Sequence, residues 1–436
     1  VQALHMGRDW ALANLECPIG LTLRRAKTVG DRIFIEGNAA AALGAVYGGA
    51  TVCAWYPITP SSSLAEAFTR YCNRYRVDPQ TKKNKFAIVQ AEDELASIGM
   101  VIGAAWNGAR AFTATSGPGI SLMQEFVGLA YFAEIPAVIF DVQRAGPSTG
   151  MPTRTQQTDI LSCAYASHGD TKHVLLFPED PHECFEFAAL SFDLADRLQT
   201  PIFMMLDLEI GMNDRLCKPL TWDDSRKLDR GKVMTAEELE AGKDFGRYLD
   251  VDGDGIPYRT YPGTHPTRGA FFTRGTSKDR RARYSEEGPD YAENMLRLLK
   301  KFDTAKQLVP RPMARSAKEP TRLGAIYFGS TSPAMDEADE ILAERGIHLD
   351  LLRVRGFPFH NDVKNFIAEH DQLFVVEQNR DGQLRTLLIN ELEIDPARLT
   401  RVLHFDGTPI TARFISDAIA DKVGELKVVP FRKAVP

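Results

Sequence analysis

The sequence predicts an α/β protein made of two units, each a parallel sheet covered by helices, and three observations predict it. From Gly37 to Leu206 short apolar runs alternate with helical patterns, the order that builds βαβ units and therefore parallel sheets. From Leu323 a second alternation follows a proline-rich stretch, VPRPMARSAKEP. At 436 residues, 44% hydrophobic and 25% charged, the chain exceeds one ordinary core yet sits on the globular average.

Taken in order, the first series reads as strand TVCAWYP, helix PSSSLAEAFTRYCNRY, strand FAIVQ, helix AEDELASIGMVIGAAW, strand ARAFTAT, helix ISLMQEFVGLAYFAE and strand IPAVIFDVQ. Strand ends and the loops after them are where such sheets carry chemistry. Residues 211 to 300 break the pattern, with 17 Lys/Arg and 16 Asp/Glu among 90 residues and few apolar runs, which predicts a charged connector without a core of its own. Its basic stretch RGTSKDRRAR, Arg274 to Arg283, reads as a solvated face or a contact with a partner subunit. The second series runs strand LGAIYFGS, helix from Pro333, strand HLDLLRVR, helix from Asn361, strand QLFVVEQN, helix from Gly382 and strand RVLHFD. The expected division is 1–34 as a leading segment, 35–210 as the first unit, 211–320 as connector and 321–436 as the second unit. No solenoid repeat is evident.

Lys+Arg 52 against Asp+Glu 58 gives a net charge of −6, which offers nucleic acid or acidic lipid no global attraction. Cys17, Cys53, Cys72, Cys163, Cys184 and Cys217 never form C-x-x-C, so zinc ribbons, cysteine-held clusters and thioredoxin motifs lack their local spacing. Free thiols in a reducing, cytoplasmic compartment are expected. No apolar run approaches the roughly 18 residues of a membrane span. The opening VQALHMGRDW is neither an initiator Met nor a signal peptide, and a processed or truncated chain is expected.

Several familiar patterns fail on context. GPSTG, Gly146 to Gly150, matches a nucleophile elbow around Ser148, but an elbow must enter a helix at once and MPTRTQQ intervenes. DVDGDG, Asp250 to Gly255, copies half a calcium loop, yet Tyr261 stands where the bidentate Glu belongs. An Asx-rich turn is the better reading, with structural metal the alternative. Walker and Rossmann phosphate motifs are missing.

Three features remain, each at a predicted strand end. In YPITPSS, Tyr56 to Ser62, two prolines restrict the backbone around Thr59; capping or an ST-turn is the plain alternative. In QAEDELASIG, Gln90 to Gly99, acids Glu92, Asp93 and Glu94 open a helix, where the helix dipole accounts for at least two of them. Glu94 differs, because Leu95, Ile98 and Ile102 follow as an apolar stripe that aims it at packed surface, and burial raises a carboxyl's proton affinity. The third feature, QRAGPSTGMPTRTQQTD, Gln143 to Asp159, is a long polar loop of a kind that is usually functional or mobile. Its Arg144 is a fork-shaped donor suited to a carboxylate, with Thr149 and Thr153 adding hydroxyls; a structural ion pair is its rival.

YPITPSS, QAEDELASIG, TSGPGISLMQE and QRAGPSTGMPT, in that order, resemble the alpha subunit of 2-oxoacid:ferredoxin oxidoreductases, most of all the 2-oxoglutarate enzymes. LRVRGFPF, VVEQNRDGQLR, VLHFDGTPITAR and the connector YRTYPGTHPTRGAFFTRGTSKDR are similar as well, so the resemblance spans roughly Ile35 to Ala420. The segment VQALHMGRDWALANLE resembles the tail of a gamma-type domain. This resemblance implies a thiamine-diphosphate pyrimidine-binding (Pyr) domain followed by a transketolase C-terminal-like domain. It also implies CoA-dependent oxidative decarboxylation, with electrons passing through iron–sulfur clusters to ferredoxin and the carbanion sink supplied by the cofactor.

Carried over by motif, Glu94 falls on the glutamate that hydrogen-bonds the aminopyrimidine ring and Pro57 on a residue packing against that ring. Thr59 falls on a hydroxyl that contacts substrate, Arg144 on the arginine that binds the C1 carboxylate, and Thr153 on a second polar contact. Arg154 could reach a distal carboxylate. One departure matters. The GDG at Gly253 to Gly255 is followed by no Asn until Asn294 and preceded by no apolar strand, so it is not the family's magnesium motif. The resemblance therefore implies a beta subunit carrying Mg²⁺ and a 4Fe-4S cluster, an assembly of (alpha-beta)2 or larger with a gamma domain or subunit, and an active site shared at the interface. Other 2-oxoacids and a non-catalytic scaffold remain the alternative readings.

Overall fold

The computed structural model describes residues 1–16, 18–25 and 27–427, with side chains to residue 424. Cys17 and the 428–436 end of the expected second unit lie outside the described residues.

The first sheet has seven strands in the spatial order Gly356–Phe357, Val174–Leu176, Pro201–Asp207, Ala137–Gln143, Ala111–Thr115, Val52–Trp55 and Ala87–Gln90. Every pairing is parallel except that of Gly356–Phe357, which runs antiparallel to Val174–Leu176. The two central strands, AVIFDVQ and PIFMMLD, are buried at every position, as a sheet covered on both faces requires. Alternation divides the side chains. Val138, Phe140 and Val142 pack with Phe68, Phe185 and Phe192 under the helices Gly37–Tyr47, Ser62–Tyr75 and Pro181–Leu198. Ile139 packs on the other face with Ile98, Val101, Ile120 and Met123 from the helices Glu94–Trp106 and Gly117–Ala133.

The second sheet orders Leu399–Leu403, Gln372–Glu377, Leu323–Phe328, Asp350–Val354 and Met313–Arg315. Its first four strands are parallel and the last is antiparallel. Phe328, Leu352, Val354 and Phe357 join the same core as Ile98 and Ile120, so apolar packing is continuous between the two sheets. Helices Ser332–Glu344 and Ala412–Lys427 cover the far face with Met335, Leu342, Ile415 and Ile419. Both sheets borrow edges. Met313–Arg315 comes from the proline-rich stretch expected to be linker, consistent with proline's tolerance next to sheet edges, and Gly356–Phe357 crosses from the second series to the first sheet.

The connector differs from the solvated segment its charge suggested. It contains an 18-residue helix, Gly288–Ala305, that buries Leu298, Phe302 and Ala305 together with Asn294, Arg297 and Lys301. Within the basic stretch, Arg280 and Arg281 are exposed and pair with Glu293 and Asp244, but Lys278 is only 1% exposed. Its ammonium donates to the Phe132 carbonyl at 2.7 Å and sits 3.7 Å from the Phe132 ring centroid, so carbonyl and π-face replace water. Asp250 to Gly255 forms an Asx turn, with Asp250 accepting from the amides of Gly253 and Gly255. The Lys232 ammonium contacts Asp252 and Asp254 at 2.7 and 2.8 Å. Among the described residues no cluster of three or more His, Cys, Asp or Glu could hold a metal, and no helix is long and apolar enough to cross a membrane. Helix Gln2–Asn14 buries none of its side chains.

Candidate active site

Four strands of the first sheet deliver their C-terminal ends to one edge. Val52–Trp55 runs into the Tyr56–Ser61 turn, Ala87–Gln90 into Glu94, Ala111–Thr115 into Ser116 and Gly117, and Ala137–Gln143 into Arg144. The chain leaves Val52–Trp55 for Ala87–Gln90 on one side and returns as Ala111–Thr115 on the other, so the loops part there and leave a crevice.

The three acids of QAEDELASIG have three different positions. Glu92 is exposed. Asp93 caps the helix, its carboxylate accepting from the Ala96 amide at 2.6 Å. Glu94 is the first helical residue and is 6% exposed. Gly119 makes room for it, since a Cβ there would stand 2.7 Å from Glu94 Cγ and 2.0 Å from Thr115 Oγ1. Ile98 and Ile102 are buried as expected, but Leu95 is exposed, because one residue on is about 100° around the helix.

Arg144 is buried yet forms no ion pair with a described residue, so the structural ion pair that was its alternative reading does not form among them. Its Nη1 donates to the Thr59 carbonyl at 2.7 Å and its Nη2 to the Thr149 carbonyl at 3.3 Å, tying the first feature to the third. Its Nε has no partner. Burial lowers the guanidinium's proton affinity, and the nearby Asp159 and Glu94 carboxylates oppose that. Arg144 lines a cavity of about 500 Å³ together with Gly117, Ser148, Gln156 and Asp159 from the first series and Asn379 from the second.

The other expected residues, like Glu94, do not line this cavity. Pro57, Thr59 and Thr153 are exposed. Thr59 does not cap the following helix, whose N-cap is Ser61; Ser61 and Ser62 donate their hydroxyls to the Ile58 carbonyl instead. Arg154 is exposed and donates to the Thr153 carbonyl, outside the cavity lining. Ser148 sits in an exposed turn closed by the Ala145–Met151 bridge, and the next helix begins only at Ile160, so no nucleophile elbow forms.

Sequence reading missed two parts of this site. Asp141, inside the buried strand, meets Asp159 on the cavity wall: burial pushes Asp159 up to about 7, and burial with the neighbouring carboxylate pushes Asp141 well above its ordinary value. The lone acid within AVIFDV was the available signal. The second part is an amide lattice between the two series. The Gln157 amide donates to the Gln378 carbonyl at 2.8 Å and Asn379 Nδ2 to the Gln157 carbonyl at 3.0 Å, which fixes the third feature's far end against EQNRDGQ.

A family model described as pyruvate flavodoxin/ferredoxin oxidoreductase, thiamine diphosphate-binding, matches residues 43–253. The 2-oxoglutarate synthase subunit KorA of Methanothermobacter thermautotrophicus is 33% identical over 357 residues, 80% of this chain and 88% of the relative. That of Methanocaldococcus jannaschii is 32% identical over 335 residues, 76% and 84% of the two chains. The chain belongs to the 2-oxoacid:ferredoxin oxidoreductase alpha-subunit family. Another family member, the 2-oxoacid:ferredoxin oxidoreductase 2 alpha subunit of Aeropyrum pernix, is 34% identical over 419 residues, and the chain spans 63% of that relative's length. Among solved members, the 2-oxoglutarate:ferredoxin oxidoreductase from Magnetococcus marinus, with 2-oxoglutarate, coenzyme A and succinyl-CoA bound, superposes with a TM-score of 0.84 at 26% identity, covering 97% of this chain and 70% of that one. The matched residues carry six of the seven strands of the first sheet, so the family's thiamine diphosphate-binding domain lies within this α/β fold.

Proposed function

We propose that the chain is the alpha subunit of a thiamine-diphosphate-dependent 2-oxoglutarate:ferredoxin oxidoreductase, converting 2-oxoglutarate and coenzyme A to succinyl-CoA and carbon dioxide with ferredoxin as acceptor, a reaction reversible in principle. The observation that carries it is Glu94: a buried carboxyl at the sheet edge, free of ion pairs among the described residues, beside an arginine with an unpartnered N–H.

The donor set fits the cofactor's pyrimidine, because the buried Glu94 carboxyl can hydrogen-bond a ring nitrogen while exposed Pro57 offers an apolar surface to the ring. Thiamine diphosphate, when bound, supplies the electron sink for decarboxylation. The chain's own residues then orient and hold charge. Glu94 keeps the proton at the ring nitrogen, Arg144 takes the substrate's C1 carboxylate through its guanidinium edge, and the hydroxyls of Thr59 and Thr153 complete the polar contacts. Their exposure supports a site finished by another protein. That partner is a beta subunit bearing Mg²⁺ and a 4Fe-4S cluster, in an (alpha-beta)2 or larger cytoplasmic assembly with a gamma domain or subunit. Residues 1–34 are the tail of such a gamma-type domain, 35–210 the Pyr domain, 211–320 the connector and 321–436 the transketolase C-terminal-like domain.

Reconstitution tests this reading. The purified chain is expected to show no decarboxylation, and addition of the beta subunit with thiamine diphosphate is expected to restore it, with 2-oxoglutarate outrunning pyruvate in parallel assays. Turnover by the chain alone would refute the shared site. A preference for pyruvate would keep the machinery and replace the substrate, as the broader 2-oxoacid naming of the Aeropyrum relative allows.

A further inference from the structure

The cavity that Arg144 lines has an acid pair in its wall that the proposed reaction leaves unused. Asp141 stands in the central strand Ala137–Gln143 and is 0% exposed. Asp159 meets it from the start of the helix Ile160–Ala164, which its side chain does not cap. Gly117 leaves room there, since a Cβ at that position would stand 2.8 and 2.9 Å from the two Asp159 carboxylate oxygens. The two carboxyls are joined by a side-chain hydrogen bond.

Neither acid is otherwise provided for among the described residues. Asp141 Oδ1 and Asp159 Oδ2 are buried with no donor in reach, and Asp141 Oδ2 has only the Cys163 thiol, at 3.8 Å. Buried acids elsewhere are satisfied. Glu134 accepts from Arg297 Nη1 at 2.6 Å and Lys301 Nζ at 3.0 Å. Glu377 accepts from the Leu384 and Arg385 amides at 2.7 and 2.9 Å, and Asp207, on the strand beside Asp141, from the Ile210 amide and the Ser330 hydroxyl. An ionised carboxylate only accepts, so two of them can be hydrogen-bonded to each other only if one holds a proton. That one is Asp141, deep in the sheet; Asp159, on the cavity wall, is left with the charge that can change.

The charged groups around the pair are few. Arg144 borders the same cavity of about 500 Å³ and favours an ionised Asp159 from beyond ion-pair distance, while Glu94 acts on Arg144 in turn. Arg380 and Asp381 reach the cavity from the second series and pair with each other. Gly117, Pro118 and Ser121 bring no titratable group. An ionised Asp159 would compete with any carboxylate for Arg144 and repel it; a protonated one would not.

We propose that Asp159 is a positioning residue for the substrate's C1 carboxylate: backed by Asp141, it takes up one proton from solvent as that carboxylate settles on Arg144, so that the pocket admits the anion without gaining net charge. The inference rests on the proposed role of Arg144.

The test uses the assembled enzyme, with beta subunit and thiamine diphosphate, and the full chain alone. Burial pushes Asp159 up to about 7, so KM for 2-oxoglutarate is expected to be level below that pH and to rise by up to about tenfold per pH unit above it, as proton uptake and binding are reciprocally linked. In Asp159→Asn the slope of KM should vanish while the pH profile of kcat keeps its shape. Asp141→Asn, which leaves Asp159 ionised, should have a raised KM throughout. In the chain alone, infrared difference spectroscopy is expected to show the carbonyl stretch of a protonated carboxyl at about pH 8, where an ordinary Asp is ionised, and its loss in Asp141→Asn. A level KM in the wild type, or no such band, overturns the inference even where 2-oxoglutarate is turned over. The same slope with pyruvate as the preferred substrate upholds it and overturns only the proposed substrate, since both acids carry a C1 carboxylate. An assembled enzyme that turns over no 2-oxoacid overturns the proposed function and the coupling with it, whereas the band stands or falls by itself.

Discussion

Glu94 and Glu134 are two buried acids at the ends of adjacent helices over the same face of one sheet, and their surroundings are opposite. Burial pushes Glu134 toward protonation, but Arg297, Lys301 and Arg247 outweigh it and hold the carboxyl down to about 2. Glu94 has no such escort among the described residues. It lies against Gly119 and near Arg144, whose own hydrogen bonds go to backbone carbonyls. A carboxylate clamped by fixed cations braces the fold and has little left to offer a ligand. One that is buried but unclamped keeps its hydrogen-bonding capacity for whatever enters.

Exchanging each acid for its amide breaks or sharpens this contrast. The largest effect is expected from Glu94→Gln in the assembled enzyme, where turnover should fall by about 10² to 10⁴-fold, the range typical of a lost proton-handling group. The thermal midpoint should barely move; a variant running at the wild-type rate would remove Glu94 from its role. Glu134→Gln should do the reverse. It leaves Arg297, Lys301 and Arg247 without their counter-charge, a loss of about 3–5 kcal/mol readable by urea unfolding, with the rate per folded molecule preserved. If both variants lose activity and neither loses stability, the two acids do not differ in kind.

The smallest effect is in acid. Glu134 is depressed from 4.5 to about 2, so the native state holds its proton more weakly than the unfolded chain. Its contribution is complete above about pH 4.5 and is lost as pH falls from there toward 2, a span worth about 3 kcal/mol. Urea midpoints measured across that window should fall more steeply for the wild type than for Glu134→Gln.

Much of the architecture could be read from local spacing. The runs AVIFDV and QLFVVE, the helical stripe through Ile98 and Ile102, and the strand and helix alternation after Leu323 reappear in the fold nearly where expected. The edge of the first sheet that carries Glu94 and Arg144 was legible too, since Arg144 follows directly on an apolar strand and Glu94 opens the helix after another. Leu95 was misjudged because one step along a helix turns a side chain to a different face. Lys278 and the helix Gly288–Ala305 were missed because a high density of charge looks like a solvated surface when the groups that receive it are out of sight.

Which polar groups meet could emerge only on folding. Asp141 and Asp159 are 18 positions apart and face each other across a loop; Gln157 and Gln378 are 221 apart and share hydrogen bonds; Arg247 and Arg259 come from one connector and border one cavity. Apolar periodicity is written in near neighbours and survives without knowledge of the rest of the chain. A buried charge has meaning only through what surrounds it, and its surroundings are assembled from segments that the order of residues keeps far apart.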